Sequence, residues 1–215
     1  MSEVLDTTVE KNTDYLRTHI AWRTPHDEFA GIARIVARLR KQDNEMPPGD
    51  VFLAVPNKVW LKQMRVTLEP YRISAVSAKN IIAGVRETDL AIDFAGGVTI
   101  GSYGQIAACK PRHLFALGLV EGFFPVAGAT DEAAVQAQRR ALLSAVSNTP
   151  ETIVLSSFKR ITPDEATKLH LPFTRLRREH GEQLAVLAPS RFIGEMGSFA
   201  PSSVSGEQFL ANYFS

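Results

Sequence analysis

Apolar residues recur along this chain in two patterns, as short continuous runs and as stripes at helical spacing. Two of the runs, at 51–55 and 114–117, are bounded by proline, glycine or polar residues, as expected for strands buried on both faces of a parallel sheet. Between the runs, apolar residues recur every three or four positions, which indicates helices with one buried face. Helices that alternate with buried strands predict a layered α/β domain with a mainly parallel central sheet.

Start and stop signals place the individual elements. Residues 24–27, Thr-Pro-His-Asp, predict a capped helix with proline at its first position, which ends near Asp43. Pro56-Asn57, directly after the run at 51–55, predicts the start of a second helix. The remaining predicted strands lie at 19–22, 71–76, 98–100 and 152–156, and the remaining predicted helices begin near 132, 163 and 209.

The stretch Val98–Pro125 joins two predicted strands to a chain reversal that is followed by aromatic residues and a proline. Its apolar frame and its closing residues resemble motif V of UvrD/Rep-type superfamily 1 DNA helicases. The closing residues that match are Gly118, Leu119, Glu121, Gly122, Phe124 and Pro125. Arg139 and Arg140 match the paired arginines of motif VI in the same family, and Pro189–Ile193 resembles the segment just beyond it.

The resemblance implies a fold and a division of the chain. The implied fold is a RecA-like (P-loop NTPase-type) three-layer domain, equivalent to the second motor domain and without the half that carries the Walker A loop. This domain spans residues 19–196. We expect residues 1–18 to form a polar lead-in and residues 197–215 to form a C-terminal tail with a short amphipathic helix.

The resemblance also implies that the nucleotide site is degenerate. Pro56 and Asn148 occupy the positions of the two arginines that contact the terminal phosphate in the family. Loss of one arginine finger slows phosphoryl transfer by about 10³-fold to 10⁵-fold, and no GxxxxGK[ST] loop occurs in the chain. The family's other polar motif V positions are occupied by Ser102, Gly104, Ala107 and Ala108. We therefore predict no catalytic residue, no cofactor and no ATP hydrolysis by this chain alone.

Composition and charge limit the partner classes only weakly. The formal net charge is +1, which by itself favours neither nucleic acid nor membrane. Cys109 is the lone cysteine, so no disulfide forms within the chain, and the five histidines show no metal-ligand spacing. No apolar run approaches the roughly 20 residues needed to span a bilayer. We expect a cytoplasmic protein with no metal.

A local excess of basic residues is the clearest remaining signal. Residues 159–191 contain seven basic and four acidic side chains. The basic residues are Lys159, Arg160, Lys168, Arg175, Arg177, Arg178 and Arg191. They could follow a phosphate backbone, and the alternative is the solvated face of a helix. Trp60, Tyr71 and Phe123 are candidates for stacking on single-stranded bases, although the helical stripe favours a core position for Trp60.

Degenerate helicase folds serve as DNA-guiding scaffold subunits beside active nuclease-helicases, and the resemblance implies a similar role here. We expect a DNA- and/or protein-binding module in DNA repair or recombination, with DNA or a helicase or nuclease subunit as its partner. One alternative is the second motor domain of an ATP-dependent DNA helicase, completed in trans or by a missing N-terminal part. The other is a purely structural interaction module.

Overall fold

The computed structural model describes residues 16–43, 45–84, 97–126, 131–149, 151–200 and 202–214. These residues form ten strands and eight α-helices. The strands are β1 Arg17–Trp22, β2 Val51–Ala54, β3 Ala75–Ser77, β4 Val98–Gly101, β5 His113–Ala116, β6 Thr152–Phe158, β7 Arg160–Ile161, β8 Arg175–Glu179, β9 Glu182–Val186 and β10 Ser202–Ser205. The helices are α1 Pro25–Gln42, α2 Lys58–Leu68, α3 Ala78–Ile82, α4 Ile106–Cys109, α5 Glu132–Asn148, α6 Pro163–Lys168, α7 Arg191–Glu195 and α8 Gly206–Tyr213.

Seven strands form one sheet in the order β10-β1-β6-β5-β2-β4-β3. Every neighbouring pair in this sheet is parallel; in β2, for example, Phe52 pairs with Leu114 of β5 on one side and with Thr99 of β4 on the other. The predicted parallel central sheet is confirmed. All of its carboxyl ends therefore lie along one edge.

Helices cover both faces of this sheet. Along β2, Val51 and Leu53 point into one apolar core and Phe52 and Ala54 into the other, because successive strand residues face opposite sides. The first core is completed by α1, α2, α6 and α8, and the second by α3, α4, α5 and α7. The result is a layered α/β fold with helices on each side of a central sheet.

The predicted start of the first helix is confirmed in detail. Thr24 caps α1: its hydroxyl accepts from the Asp27 amide at 3.2 Å, and the Asp27 carboxylate accepts from the Thr24 amide at 3.0 Å. Asn57 caps α2 by accepting from the amides of Val59 and Trp60. Both caps satisfy amide groups that have no acceptor within the helix.

The strand predicted at 71–76 is shorter in the structure. Residues Glu69–Tyr71 continue α2 as a 3-10 turn, and Arg72 takes a left-handed backbone with φ of 57°. The chain becomes extended only afterwards, so β3 begins at Ala75. The predicted start of this strand, at residue 71, therefore falls in the turn and not in the sheet.

A second, smaller sheet is antiparallel, with strand order β7-β9-β8. Its β8–β9 hairpin closes through His180 and Gly181, whose φ values are both positive, 48° and 89°. Positive φ at both positions is typical of a two-residue hairpin turn. The alternative interpretation of the predicted basic residues was a solvated helix face. It is wrong for Arg175, Arg177 and Arg178, which lie on β8, whereas Lys168 and Arg191 do lie exposed on helices.

The segment predicted as a C-terminal tail contributes to the main sheet. β10 pairs with β1 at its edge, and the predicted apolar helix is α8. α8 packs on α1, where the guanidinium carbon of Arg38 lies 4.8 Å from the Tyr213 ring centre. The predicted lead-in at 1–18 falls mostly on residues 1–15, which lie outside the described residues.

Candidate nucleic-acid interface

Three of the positions that the resemblance predicts as a degenerate nucleotide site lie at the carboxyl edge of the central sheet. Pro56 follows β2, and Ser102 and Gly104 follow the neighbouring strand β4. The Ser102 amide and hydroxyl both donate to the side-chain oxygen of Gln105, at 2.9 and 3.2 Å. The polar groups of Ser102 are therefore used to build the turn that follows β4.

The structure does not bring Asn148 to this edge. Asn148 ends α5, and the neighbouring Thr149 carbonyl accepts from Arg17, the first residue of β1, at 3.3 Å. Asn148 thus lies at the amino edge, where its amide nitrogen donates to the Ser144 carbonyl at 2.7 Å. Ala107 and Ala108 lie exposed on α4, in the connection from β4 to β5.

A fully buried carboxyl group, Glu28, lies behind the carboxyl edge. One of its oxygens accepts from the Gly118 amide at 2.9 Å and from the Ser156 hydroxyl at 2.6 Å, and the other accepts from the Trp60 indole at 3.3 Å. Ser156 in turn accepts from the Trp22 indole at 2.9 Å. Burial raises the pKa of Glu28, while the three donors act in the opposite direction.

The aromatic candidates for base stacking separate into two groups. Trp60 and Phe123 are buried and pack edge to face, with ring centres 4.7 Å apart. These two rings belong to the core and are not available to stack on bases, as the helical stripe indicated for Trp60. Tyr71 is 41% exposed.

The predicted basic residues lie on four elements and, for Lys159, between two strands. Lys159 directly follows β6, and Arg160 begins β7. Three arginines lie on β8, Lys168 ends α6 and Arg191 begins α7. Arg191 is paired with Glu121: its guanidinium donates at 2.9 and 3.1 Å and its amide at 2.6 Å. Partial burial acts to raise the pKa of Glu121, but these hydrogen bonds hold it below its ordinary value.

One carboxylate joins the basic residues at the carboxyl edge to those on β8. Glu179, the last residue of β8, is paired with Arg23, Arg160 and Arg177. Arg23 lies 3.3 Å from this carboxylate and Arg177 lies 3.0 Å from it. Three guanidinium groups share a single carboxylate, so the cluster keeps an excess of positive charge.

β8 itself is an exposed edge strand. Among the described strands it pairs only with β9, and its three arginines all lie at the surface. Arg175 and Arg177 are on one face of the strand, and Arg178 is on the other. Of the predicted set, Lys159, Lys168, Arg175 and Arg178 form no ion pair with any part of the chain that the structure describes. Their charges are open to solvent.

We call the set Arg23, Lys159, Arg160, Arg175, Arg177 and Arg178 the basic strip. In comparisons with known proteins, no family model matches this chain, and no curated protein matches it. The basic strip is therefore interpreted from its own geometry.

A cleft of about 360 Å³ opens at the end of the basic strip. It lies outside the carboxyl ends of β10, β1 and β6, the usual place for ligands in open α/β sheets. Its charged lining residues are Arg23, Asp27, Arg34, Lys159, Arg160 and Glu207. Basic side chains outnumber acidic ones, which favours an anionic ligand.

Sequence reasoning missed the contributions of Arg23, Arg34 and Glu28. Arg23 and Arg34 are separated in sequence from residues 159–191, and only the parallel pairing of β1 with β6 brings Arg23 beside Lys159 and Arg160. Glu28 lies in the first turn of α1, where an acidic residue is ordinary. Nothing in the local sequence marks it as buried.

Within the described ranges, no group of three or more histidine, cysteine, aspartate or glutamate residues is placed to hold a metal ion. Within the same ranges, no helix combines the length and apolar content needed to cross a membrane.

Proposed function

We propose that this chain is a nucleic-acid-binding module, built on the second motor domain of a UvrD/Rep-type helicase, that does not hydrolyse ATP by itself. The observation that carries the proposal is the basic strip. It combines an exposed arginine-bearing edge strand with the arginines that share Glu179. The other support is the motif V resemblance, which implies a role in DNA repair or recombination beside a helicase or nuclease subunit.

The arrangement of charges suits a phosphate backbone. Each guanidinium has five N–H donors in a planar fork, and the two oxygens of Glu179 use only some of those on Arg23, Arg160 and Arg177. The remaining donors are available for phosphate oxygens. Their positions are fixed by the shared carboxylate, so less side-chain entropy is lost on binding than for freely moving lysines.

The spacing along β8 supports the same ligand. Arg175 and Arg177 are two residues apart on one face, which is about 6.6 Å along a strand. This distance is comparable with the separation of successive phosphates in an extended single strand. The exposed Phe173, 41%, lies just before this strand and offers an apolar contact for a base or sugar, while the exposed Leu176, 45%, lies on the opposite face of β8 with Arg178.

The nucleotide-site positions support a module without ATP turnover of its own. Pro56 has no polar side chain, and the Asn148 amide is bonded within its own helix.

The lone Cys109 fits a reducing compartment such as the cytoplasm, and burial raises the pKa of its thiol.

Fluorescence anisotropy with labelled single-stranded and duplex DNA tests the proposal, at about 50 mM and about 200 mM salt. The double variant R175Q/R178Q removes two exposed charges that form no ion pair with any described residue. We expect it to weaken binding and to lower the slope of log affinity against log salt by about one unit for each lost phosphate contact.

The matched control is R65Q/R140Q, which makes the same charge change at exposed positions on α2 and α5. We expect the control to bind DNA as the wild type does. Absence of wild-type binding at the lower salt concentration would remove the nucleic-acid function. An equal loss of DNA affinity in the two variants would show that binding depends on overall charge and not on the basic strip.

A further inference from the structure

The cleft beside the basic strip has three walls and a floor. α1 forms one wall and α8 another, and these two helices meet where the guanidinium of Arg34 stacks 4.6 Å from the ring centre of Phe214. The ends of β1 and β6 form the third wall. The cleft is therefore a recess that is closed on three sides and open to solvent on the fourth.

The floor is the buried indole of Trp22, held between two glycines. A Cβ at Gly31 would lie 2.0 Å from the ring, and a Cβ at Gly206 would lie 2.1 Å from it. Glycine at position 206 lets the backbone that begins α8 lie directly on the ring. The start of α8 therefore borders the cleft. The Gln208 amide donates to the Ser205 hydroxyl at 3.2 Å, and the amides of Gly206 and Glu207 have no acceptor within the helix.

The basic groups around the cleft differ in their partners. Lys159 forms no ion pair within the described chain, whereas Arg23 and Arg160 share Glu179. Of the two acidic residues, Asp27 is engaged in capping α1, where it accepts from the Thr24 amide and hydroxyl. Glu207 lies in the first turn of α8 and is the remaining negative charge. Positive charge exceeds negative charge at the recess.

We propose that this recess binds a phosphate monoester. The ligand is either the phosphorylated end of a nucleic-acid strand or a free nucleoside monophosphate. A monoester is terminal, which suits a recess closed on three sides, and it has more free oxygens than a diester for Lys159, Arg34 and the first two amides of α8. The volume of about 360 Å³ falls within the range of about 300–1,000 Å³ for small-ligand sites.

The strand-end form of the proposal rests on the proposed function. Arg23, Lys159 and Arg160 belong to both the basic strip and the recess, so a strand lying along the strip reaches the recess with its end. The recess would then position the end of the strand, while the strip holds its backbone.

Binding of one oligonucleotide in three forms tests the inference: with a 5′ phosphate, with a 3′ phosphate, and with hydroxyls at both ends. Separate arms use a nucleoside monophosphate and inorganic phosphate as competitors. The readout is the ratio of affinities with and without the terminal phosphate. We expect a ratio of about tenfold for one end, as for one or two hydrogen bonds to a charged group. We expect R34Q and K159Q each to bring this ratio close to one.

K62Q, an exposed change on α2, is the control and should keep the wild-type ratio. The free-nucleotide form is supported if the nucleoside monophosphate displaces the oligonucleotide from the wild type and does so less well from R34Q. The inference is overturned if no terminal phosphate changes the affinity and neither competitor binds. It is also overturned if a phosphate preference persists unchanged in both R34Q and K159Q. If the wild type binds the nucleoside monophosphate but no oligonucleotide, the proposed function is refuted and the inference about the recess stands.

Discussion

Glu28 shows how a single side chain can join several parts of this fold. Its carboxyl group bonds to α2 through Trp60, to the turn after β5 through Gly118, and to β6 through Ser156. All three partners are donors, and none of them carries a charge. Removing the acceptor therefore leaves three donors without their partner in a region that excludes water.

We predict that E28A lowers the free energy of unfolding by about 3 kcal/mol or more, because a buried donor left unpaired costs about 1–3 kcal/mol. E28Q keeps an oxygen for Gly118 and Ser156 but presents a second donor to Trp60, so its loss should be smaller. Urea unfolding followed by circular dichroism measures both. A loss in E28A no larger than that in E28Q would contradict this account.

His19 is a second buried residue, and we expect it to affect how the stability of the fold depends on pH. Its ring nitrogens lie 2.9 Å from the hydroxyls of Ser203 on β10 and Ser157 on β6. Burial, together with the nearby charge of Lys159, lowers the pKa of His19. A lowered pKa in the folded state means that protonation favours unfolding.

The stability due to neutral His19 is present above the ordinary histidine pKa of about 6.5 and is lost as pH falls through the lower folded-state value. We predict that the wild type loses more stability than H19Q between about pH 7.5 and about pH 5. Thermal unfolding at several pH values measures the difference, and H26Q, at an exposed histidine, is the control. Parallel pH profiles for wild type and H19Q would contradict the role given to this side chain.

At the scale of elements, α1 and α8 depend on how closely each approaches Trp22. Both approaches require glycine, at positions 31 and 206. We predict that G31A lowers the free energy of unfolding by about 1–3 kcal/mol, the usual cost of an overpacked core. In the control G194A, on α7, the added Cβ meets open space. Chemical denaturation of both variants measures this, and equal stability in the two would show that the indole and the helices can move apart freely.

Elements with strong local signals were predictable from the sequence. The Thr24 cap and Pro25 fixed the start of α1, and the continuous apolar run at 51–55 predicted β2. The β8–β9 hairpin has no such signal, because every residue of β8 is at least partly exposed and the strand lacks apolar alternation. Its one local sign was Gly181 at the turn, and basic residues on an exposed edge strand also discourage pairing with other chains.

The candidate site was predictable only in part, for a topological reason. The residues at 159–178 were found because they are close in sequence. Arg23 joins them through the pairing of β1 with β6, and Arg34 joins the recess through α1 packing on the sheet. Asn148 was grouped with Pro56 by the resemblance, and the connection through α5 places it at the other edge of the sheet.

At the scale of the whole molecule, local arrangement of charge matters more than its total. The chain carries a formal net charge of only +1, so general attraction to polyanions is weak. The basic strip gathers six basic side chains around one edge of the second sheet and the end of the first. Nucleic-acid binding by this protein should therefore be localised, and it should weaken steeply with salt.

The most direct test maps a bound oligonucleotide onto the protein by NMR spectroscopy of backbone amides. We predict chemical-shift changes concentrated at residues 173–180 and at Lys159 and Arg160, with none along α2. Changes centred on α2 or α5, or no changes at low salt, would contradict the assignment of the basic strip as the nucleic-acid interface.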